Sequence, residues 1–225
     1  VRPLIVIATH NKDKLREIRR ILGRGSYTVK GLDDFPPPYT VRETGKTLEE
    51  NALLKARKAV QRTGQTALSD DSGLEVAALG GRPGVYSARF AGTGCSYADN
   101  NRKILRLMKG VPRRKRGATF RCVVALVTPA GKERLFEGRC PGWIVEEAQG
   151  EKGFGYDPIF EPRGQGRTFA AISLAQKNQI SHRALAFRRA AAYLNGKSFV
   201  ATGAVAAFPR AGRKKFPDRH IRSAR

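Results

Sequence analysis

Val1-Arg2-Pro3-Leu4-Ile5-Val6-Ile7-Ala8-Thr9 passes without a break into His10-Asn11-Lys12-Asp13-Lys14-Leu15. The first segment is an apolar, β-branched run of strand length and reads as a buried strand. The second opens a helix. Asn11 suits an N-cap, Leu15, Ile18 and Leu22 recur at helical spacing, and Gly23 supplies a stop. The junction is polar and cationic. Free backbone N–H groups at a helix start favour an anion, Thr9 and Asn11 can bond phosphate oxygens, and Lys14 adds positive charge. The plain alternative is a strand end followed by an ordinary capped helix, and no glycine-rich Walker pattern is present.

Downstream, a loop between Gly31 and Gly45 contains Pro36-Pro37-Pro38. Thr47-Leu48-Glu49-Glu50 reads as a capping box, and its helix is predicted to run to about Arg62, ended by Gly64. Thr66–Ser69 is predicted as a short strand that meets Asp70-Asp71-Ser72-Gly73. Leu79–Tyr86 is a glycine-rich turn region, Tyr97–Met108 a helix, and Arg113–Arg116 a solvated basic loop. Phe120–Thr128 and Arg134–Arg139 are expected to pair around Pro129-Ala130-Gly131-Lys132. Gly150–Pro158 is a second glycine-rich segment. Ser181 caps a helix to about Leu194, closed by Asn195-Gly196.

At 225 residues the chain is long enough to bury a core without disulfides or a structural metal. Apolar residues make up 40% and charged residues 28%, which excludes collagen-like and wholly disordered classes. No apolar run is long enough to span a bilayer, and the N-terminal one is shorter than a signal-peptide core. Cys95, Cys122 and Cys140 form no paired metal pattern and are expected as free thiols in a cytoplasmic protein. Net charge is +24, which attracts polyanions. Residues 197–225 hold eight Lys/Arg against one Asp with no apolar face. They read as a partly disordered basic extension that binds polyanions weakly, appended to one domain over residues 1–196.

Three further clusters carry chemistry. Asp70 and Asp71 are adjacent carboxylates whose repulsion a divalent cation would relieve, and one of them could activate water. A solvated turn accounts for the same residues. Gly153-Phe154-Gly155-Tyr156-Asp157-Pro158 combines close backbone approach with two aromatics that could sandwich a flat base, and Asp157 could accept from its edge. The alternative is a tight turn packed by aromatics. Lys177 with Ser181-His182-Arg183 places cations at a helix start, where the dipole disfavours them unless an anion or electronegative ligand atom is near.

In order, the chain reads Thr9-x-Asn11-x-x-Lys14, Glu43-Thr44-Gly45-Lys46-Thr47-x-x-Glu50-Asn51-Ala52-x-x-Lys55-Ala56, Ser69-Asp70-Asp71-Ser72-Gly73-Leu74, Gly80-Gly81-x-Pro83-Gly84-Val85-Tyr86-Ser87-Ala88-Arg89, Gly153-Phe154-Gly155-Tyr156-Asp157-Pro158, and Lys177-x-x-x-Ile180-Ser181-His182-Arg183. Across Leu4–Leu194 this resembles the inosine-triphosphate pyrophosphatase family, the non-canonical purine NTP pyrophosphatases, in its bacterial branch. The resemblance implies a two-lobed α/β fold with an elongated mixed β-sheet and a cleft between lobes. It implies Mg²⁺-assisted hydrolysis of ITP, dITP and XTP to the monophosphate and pyrophosphate, usually by a homodimer. It places Thr9, His10, Asn11, Lys12, Asp13 and Lys14 on the triphosphate, with Lys55 helping. Asp71 becomes metal ligand and general base, with Asp70 beside it as a further candidate metal ligand and Ser72 touching substrate. Phe154, Gly155, Tyr156, Asp157, Lys177, His182 and Arg183 surround the base. Many bacterial members carry two acidic residues before Thr44-Gly45, whereas here Arg42 precedes Glu43. The resemblance gives the second metal carboxylate to Glu43, twelve residues before Lys55.

Two other readings are weaker. Maf-like nucleotide pyrophosphatases share the chemistry, but their N-terminal serine/arginine pattern is missing from Thr9–Lys14. A basic nucleic-acid-binding module would use the charge, yet it leaves Asp70-Asp71 and Gly153–Asp157 unexplained, so nucleic acid is not required as a partner.

Overall fold

The computed structural model describes residues 2–22 and 27–196. The expected stop at Gly23 and the expected extension over 197–225 lie outside the described residues. In chain order the elements are β1 (Leu4–Ile7), α1 (Lys12–Leu22), β2 (Thr28–Gly31), α2 (Leu48–Thr63), β3 (Thr66–Val76), α3 (Tyr97–Leu107), β4 (Gly117–Val127), β5 (Glu133–Ile144), β6 (Phe160–Pro162), α4 (Leu174–Ile180) and α5 (His182–Leu194). The strands form one sheet in the order β2-β1-β3-β4-β5-β6. β1 lies parallel to β2 and β3, and the remaining pairs are antiparallel. The sheet is therefore mixed, as the resemblance implies.

Two large bodies of apolar side chains lie along the sheet, and two smaller ones pack Leu48, Ala52, Ala56 and Ala59 of α2 against β4, β1 and β3. One large body gathers Ile5 and Ile7 of β1, Ile18 and Leu22 of α1, and Phe187 of α5. The other gathers Ile104 of α3, Ile144 of β5, Phe160 of β6 and Phe169. β3 and β4 run through both: Leu68 and Val124 belong to the first body, Leu74 and Phe120 to the second. Each fully buried Phe or Ile contributes about 1.5–3 kcal/mol. The cleft lies where the shared strands pass from one body to the other.

β3 differs from its expected length. The strand does not stop at Ser69 but continues to Val76, pairing with β4 from Ala67↔Val127 to Val76↔Ala118. The turn preference of Asp-Ser-Gly yields to this long ladder, so the acidic pair sits inside a strand rather than on a solvated turn. Gly73 is part of the reason. A Cβ there would lie 2.4 Å from the Gly84 carbonyl oxygen, so only glycine lets the 84–89 turn approach β3.

The capping box at Thr47 is half formed. Thr47 Oγ1 accepts from Glu50 N–H at 3.1 Å, but the Glu50 carboxylate accepts from Lys46 N–H rather than from Thr47. Gly64, at φ +64°, ends α2 as expected. Arg113–Arg116 is not wholly a solvated loop. Arg116 is buried and donates to the carbonyls of Met108, Val111, Ile144 and Val145. α4 was not foreseen: Ser173 caps it by accepting from Gln176 N–H at 3.2 Å. The three cysteines are free thiols, and no described helix is long and apolar enough to cross a membrane.

Candidate active site

A cavity of about 400 Å³ opens between the lobes. Its first wall is the β1–α1 junction. Asn11 Oδ1 accepts from Asp13 N–H and Lys14 N–H, both at 3.0 Å, and Thr9 Oγ1 accepts from Asn11 N–H at 3.1 Å. The helix start thus caps itself, and anion affinity there falls mainly to side chains. Thr9, His10, Asn11 and Lys14 line the cavity. Lys12 is exposed and Asp13 pairs with Arg16 at 3.3 Å, and neither lines it. His10 bonds the Tyr39 carbonyl and lies 3.5 Å from Asp33.

The floor is β3. Successive residues point to opposite faces, so Asp70 and Asp71 have different surroundings. Asp70 does not line the cavity itself, and its Oδ2 lies 3.1 Å from Lys14 Nζ and 3.3 Å from Arg183 Nε, both of which do. Burial alone would raise its pKa, yet Lys14, Arg183 and Lys55 hold it far below the usual carboxylate range. It is a permanent anion that anchors two cations.

Asp71 faces the cavity. Lys55 Nζ stands 3.4 Å from Asp71 Oδ1 and 2.7 Å from Glu43 Oε1. Asn51 Nδ2 donates to Asp71 Oδ2 at 3.2 Å, while Asn51 Oδ1 accepts from Gly45 N–H at 2.8 Å. One buried amide therefore ties Asp71 to the loop that carries Glu43. Burial pushes the Asp71 pKa up, with Glu43 and Asp70 adding to the rise against the pull of Lys55 and Lys14. A carboxylate held basic in this way suits proton abstraction.

No group of three or more His, Cys, Asp or Glu side chains forms a metal cage among the described residues. The donor set fits Mg²⁺ nonetheless. That ion binds through one or two carboxylates and completes its shell with water and phosphate oxygens. Glu43 and Asp71 converge on the single Lys55 ammonium and both line the cavity.

The far end is apolar and cationic. Phe154, Gly155, Tyr156, Asp157, Lys177 and His182 line it, as does Arg183. Lys177 Nζ lies 4.8 Å from the Phe154 ring centroid and Arg183 Cζ 5.4 Å from it. Tyr156 does not form half of an open sandwich: its ring is buried and its hydroxyl donates to Ser87 O at 2.8 Å. Asp157 Oδ2 accepts from Phe154 N–H at 2.8 Å and pairs with Lys177 at 2.6 Å, so this oxygen already has partners.

Lys177 of α4 and Arg183 at the start of α5 are balanced from within the protein. Glu17 of α1 meets Lys177 Nζ at 2.7 Å and Arg183 Nη1 at 2.5 Å. Glu17 was not foreseen, although its place three residues after Lys14 puts it on the same helix face. Burial would raise its pKa, but Arg183 and Lys177 hold it below the ordinary glutamate value. His182 stacks on Phe120 with centroids 4.5 Å apart and planes 5° apart. Burial, then Arg183 and Lys177, push its pKa well down, so the ring is neutral. Among the described residues lining the cavity, it alone carries a buried polar atom, Nδ1, without a partner. Phe120, Tyr97 and Ser87 also line the cavity, and the sequence gives none of them a site role.

A family model described as the Ham1 family matches residues 5–193. The chain is 47% identical over 191 residues to the dITP/XTP pyrophosphatase of Desulforamulus reducens, covering 85% of this chain and 95% of the relative. It is 50% identical over 179 residues to that of Geobacter sulfurreducens, covering 80% and 90%. The solved structure of the Staphylococcus aureus Ham1 protein superposes with a TM-score of 0.77 at 41% identity, covering 86% of this chain and 98% of that one.

Proposed function

The chain belongs to the Ham1 family, and on that premise we propose that it is a dITP/XTP-type pyrophosphatase. It hydrolyses non-canonical purine nucleoside triphosphates to the monophosphate and pyrophosphate. The observation that carries this reading is one cavity with two chemically different ends. Glu43, Asp71 and Lys55 meet at one end, and Phe154, Lys177, His182 and Arg183 at the other. The names of the relatives support the same substrate class.

The triphosphate lies toward Thr9, Asn11, Lys14 and Lys55, whose donors offset its charge. Asp71, kept basic by burial and by its acidic neighbours, orients a water and takes its proton as the water attacks the α-phosphorus in line. Mg²⁺, when bound by Glu43 and Asp71, supplies Lewis-acid neutralisation of the phosphate oxygens. Asn51 holds Asp71 in register with the Glu43 loop through its two hydrogen bonds.

Base choice is a hydrogen-bonding problem. Hypoxanthine and xanthine present a 6-oxo acceptor where adenine presents an amino donor. The cations Lys177 and Arg183 make an edge that favours an acceptor, and neutral His182 adds a donor to it in the tautomer that carries its proton on the nitrogen facing the base. An adenine amino group would leave such donors unpaired. We place the catalytic domain at residues 1–196 and expect a cytoplasmic homodimer.

The test is pyrophosphate release over a panel of purine triphosphates, with and without Mg²⁺. Turnover should require the metal and favour ITP, dITP and XTP over ATP by a large margin in kcat/KM. Equal turnover on ATP would remove the proposal.

A further inference from the structure

Tyr97, the first residue of α3, faces the cavity mouth from the lobe opposite α1. Its phenol oxygen accepts from Asn11 Nδ2 at 3.2 Å. Its ring lies 6.0 Å from the Phe154 ring, centroid to centroid, tilted by 41°. One side chain therefore touches the phosphate end and the base end of the cavity together. Tyr97 stays 44% exposed, so these contacts span a mouth and do not fill a core.

The turn beneath Tyr97 is braced. Ser96 Oγ accepts from Asp99 N–H at 3.2 Å, and Asp99 Oδ2 accepts from Ser96 N–H at 2.9 Å. Asn101 Nδ2 donates to Gly155 O at 3.0 Å, and Asn100 Nδ2 to Ala88 O at 3.2 Å. The same helix start therefore also holds the loop next to Phe154. On the other side, the Asn11 amide oxygen is committed to Asp13 and Lys14 N–H. Its orientation is set, and the Nδ2 group points to the phenol.

Resting on the pyrophosphatase reading above, we infer that Tyr97 is a positioning residue for that reaction. Through Asn11 it sets the phosphate end, and through Phe154 it sets the base end, for a purine nucleoside triphosphate that reaches across both. The two arms separate chemically. Tyr97→Phe removes the hydrogen-bond acceptor and keeps the ring, whereas Tyr97→Leu removes both.

The experiment measures calorimetric binding of tripolyphosphate and of IMP in Mg²⁺ buffer, beside steady-state kinetics on ITP and ATP. One neutral hydrogen bond corresponds to about a three- to tenfold change. Tyr97→Phe should weaken tripolyphosphate by about that factor and raise KM for ITP similarly. It should leave kcat and IMP affinity within about twofold of wild type. Tyr97→Leu should also weaken IMP and narrow the preference for ITP over ATP. Tyr97→Phe that binds tripolyphosphate as wild type does, or that weakens both probes equally, would overturn the inference while leaving the pyrophosphatase reading standing. So would Tyr97→Leu with unchanged IMP affinity. Wild-type protein that binds neither probe and releases no pyrophosphate would overturn both.

Discussion

Replacing Glu17 by Gln removes one negative charge from between two buried cations. Glu17, Lys177 and Arg183 are each 3% exposed, so little water is at hand to take over the lost role. Lys177 keeps Asp157 at 2.6 Å and Arg183 keeps Asp70 at 3.3 Å. Breaking a buried ion pair from one side costs about 3–5 kcal/mol because it strands a charge. Since each cation keeps one carboxylate, the lower end applies, about 3 kcal/mol. For a domain of this size that is a fall of roughly 6–12 °C in Tm.

The pH dependence adds a second signature. The folded-state pKa of Glu17 is depressed, so its stabilisation is fully present above the unfolded value, about 4.3, and is lost as pH falls through the folded value. Wild-type protein should lose this contribution on acidification, and Glu17→Gln should lack that component. The assay is urea denaturation at pH 7 and at a series of lower pH values, followed by circular dichroism. A loss below about 1 kcal/mol at pH 7, with m unchanged, would refute the reasoning. An acid dependence identical to wild type would do the same.

Asp71→Asn should abolish most turnover yet leave Tm at pH 7 equal or slightly higher. Its folded pKa is raised, so the ionised carboxylate is a net cost above the unfolded value, and a variant with near wild-type turnover on dITP would reject the assigned base. In metal-free protein, a carbon-detected NMR titration should place Asp71 above the ordinary aspartate value of about 3.9, and a lower value would contradict the burial argument. Gly138→Ala should destabilise by about 1–3 kcal/mol, because its Cβ would sit 2.0 Å from the His182 carbonyl oxygen and 2.6 Å from Ala186 N. Since α5 must move, KM for ITP should rise with the loss in Tm, and an unchanged Tm would show the fit to be looser than described. Arg116→Met should cost about 3 kcal/mol in urea denaturation by leaving buried carbonyls of Met108, Ile144 and Val145 without their donor, and a neutral result would mean water reaches them.

The β1–α1 unit was legible because its signals are local. A β-branched run, a capping Asn11 and apolar residues at helical spacing all act within one turn or one strand. The β4–β5 hairpin and the Ser181-capped helix were legible for the same reason. The length of β3 was not. Asp70, Asp71, Ser72 and Gly73 each favour a turn locally, and what holds them extended is a partner strand more than forty residues away together with cations from α1 and α5. Arg116 misled for a related reason. Four basic residues in a row read as solvated, yet one of them is drawn inward by carbonyls that only the folded chain gathers.

The site divides along the same line. Motif residues such as Asp71 and His182 carry their chemistry in their type, and Lys55 entered through the resemblance, so all three could be named before any fold was known. Glu17 and Asn51 act only through partners distant in sequence. A glutamate on a helix face is ordinary until Lys177 and Arg183, from two other helices, close on it. An asparagine inside a helix is ordinary until its amide spans Asp71 and Gly45. The base end draws on both apolar bodies: Arg183 stands on α5, whose Phe187 packs with α1 in the first, whereas Tyr156 packs in the second. It follows that a substitution which repacks either body, without touching a cavity residue, should alter KM by moving Arg183 and His182 against the 154–157 segment.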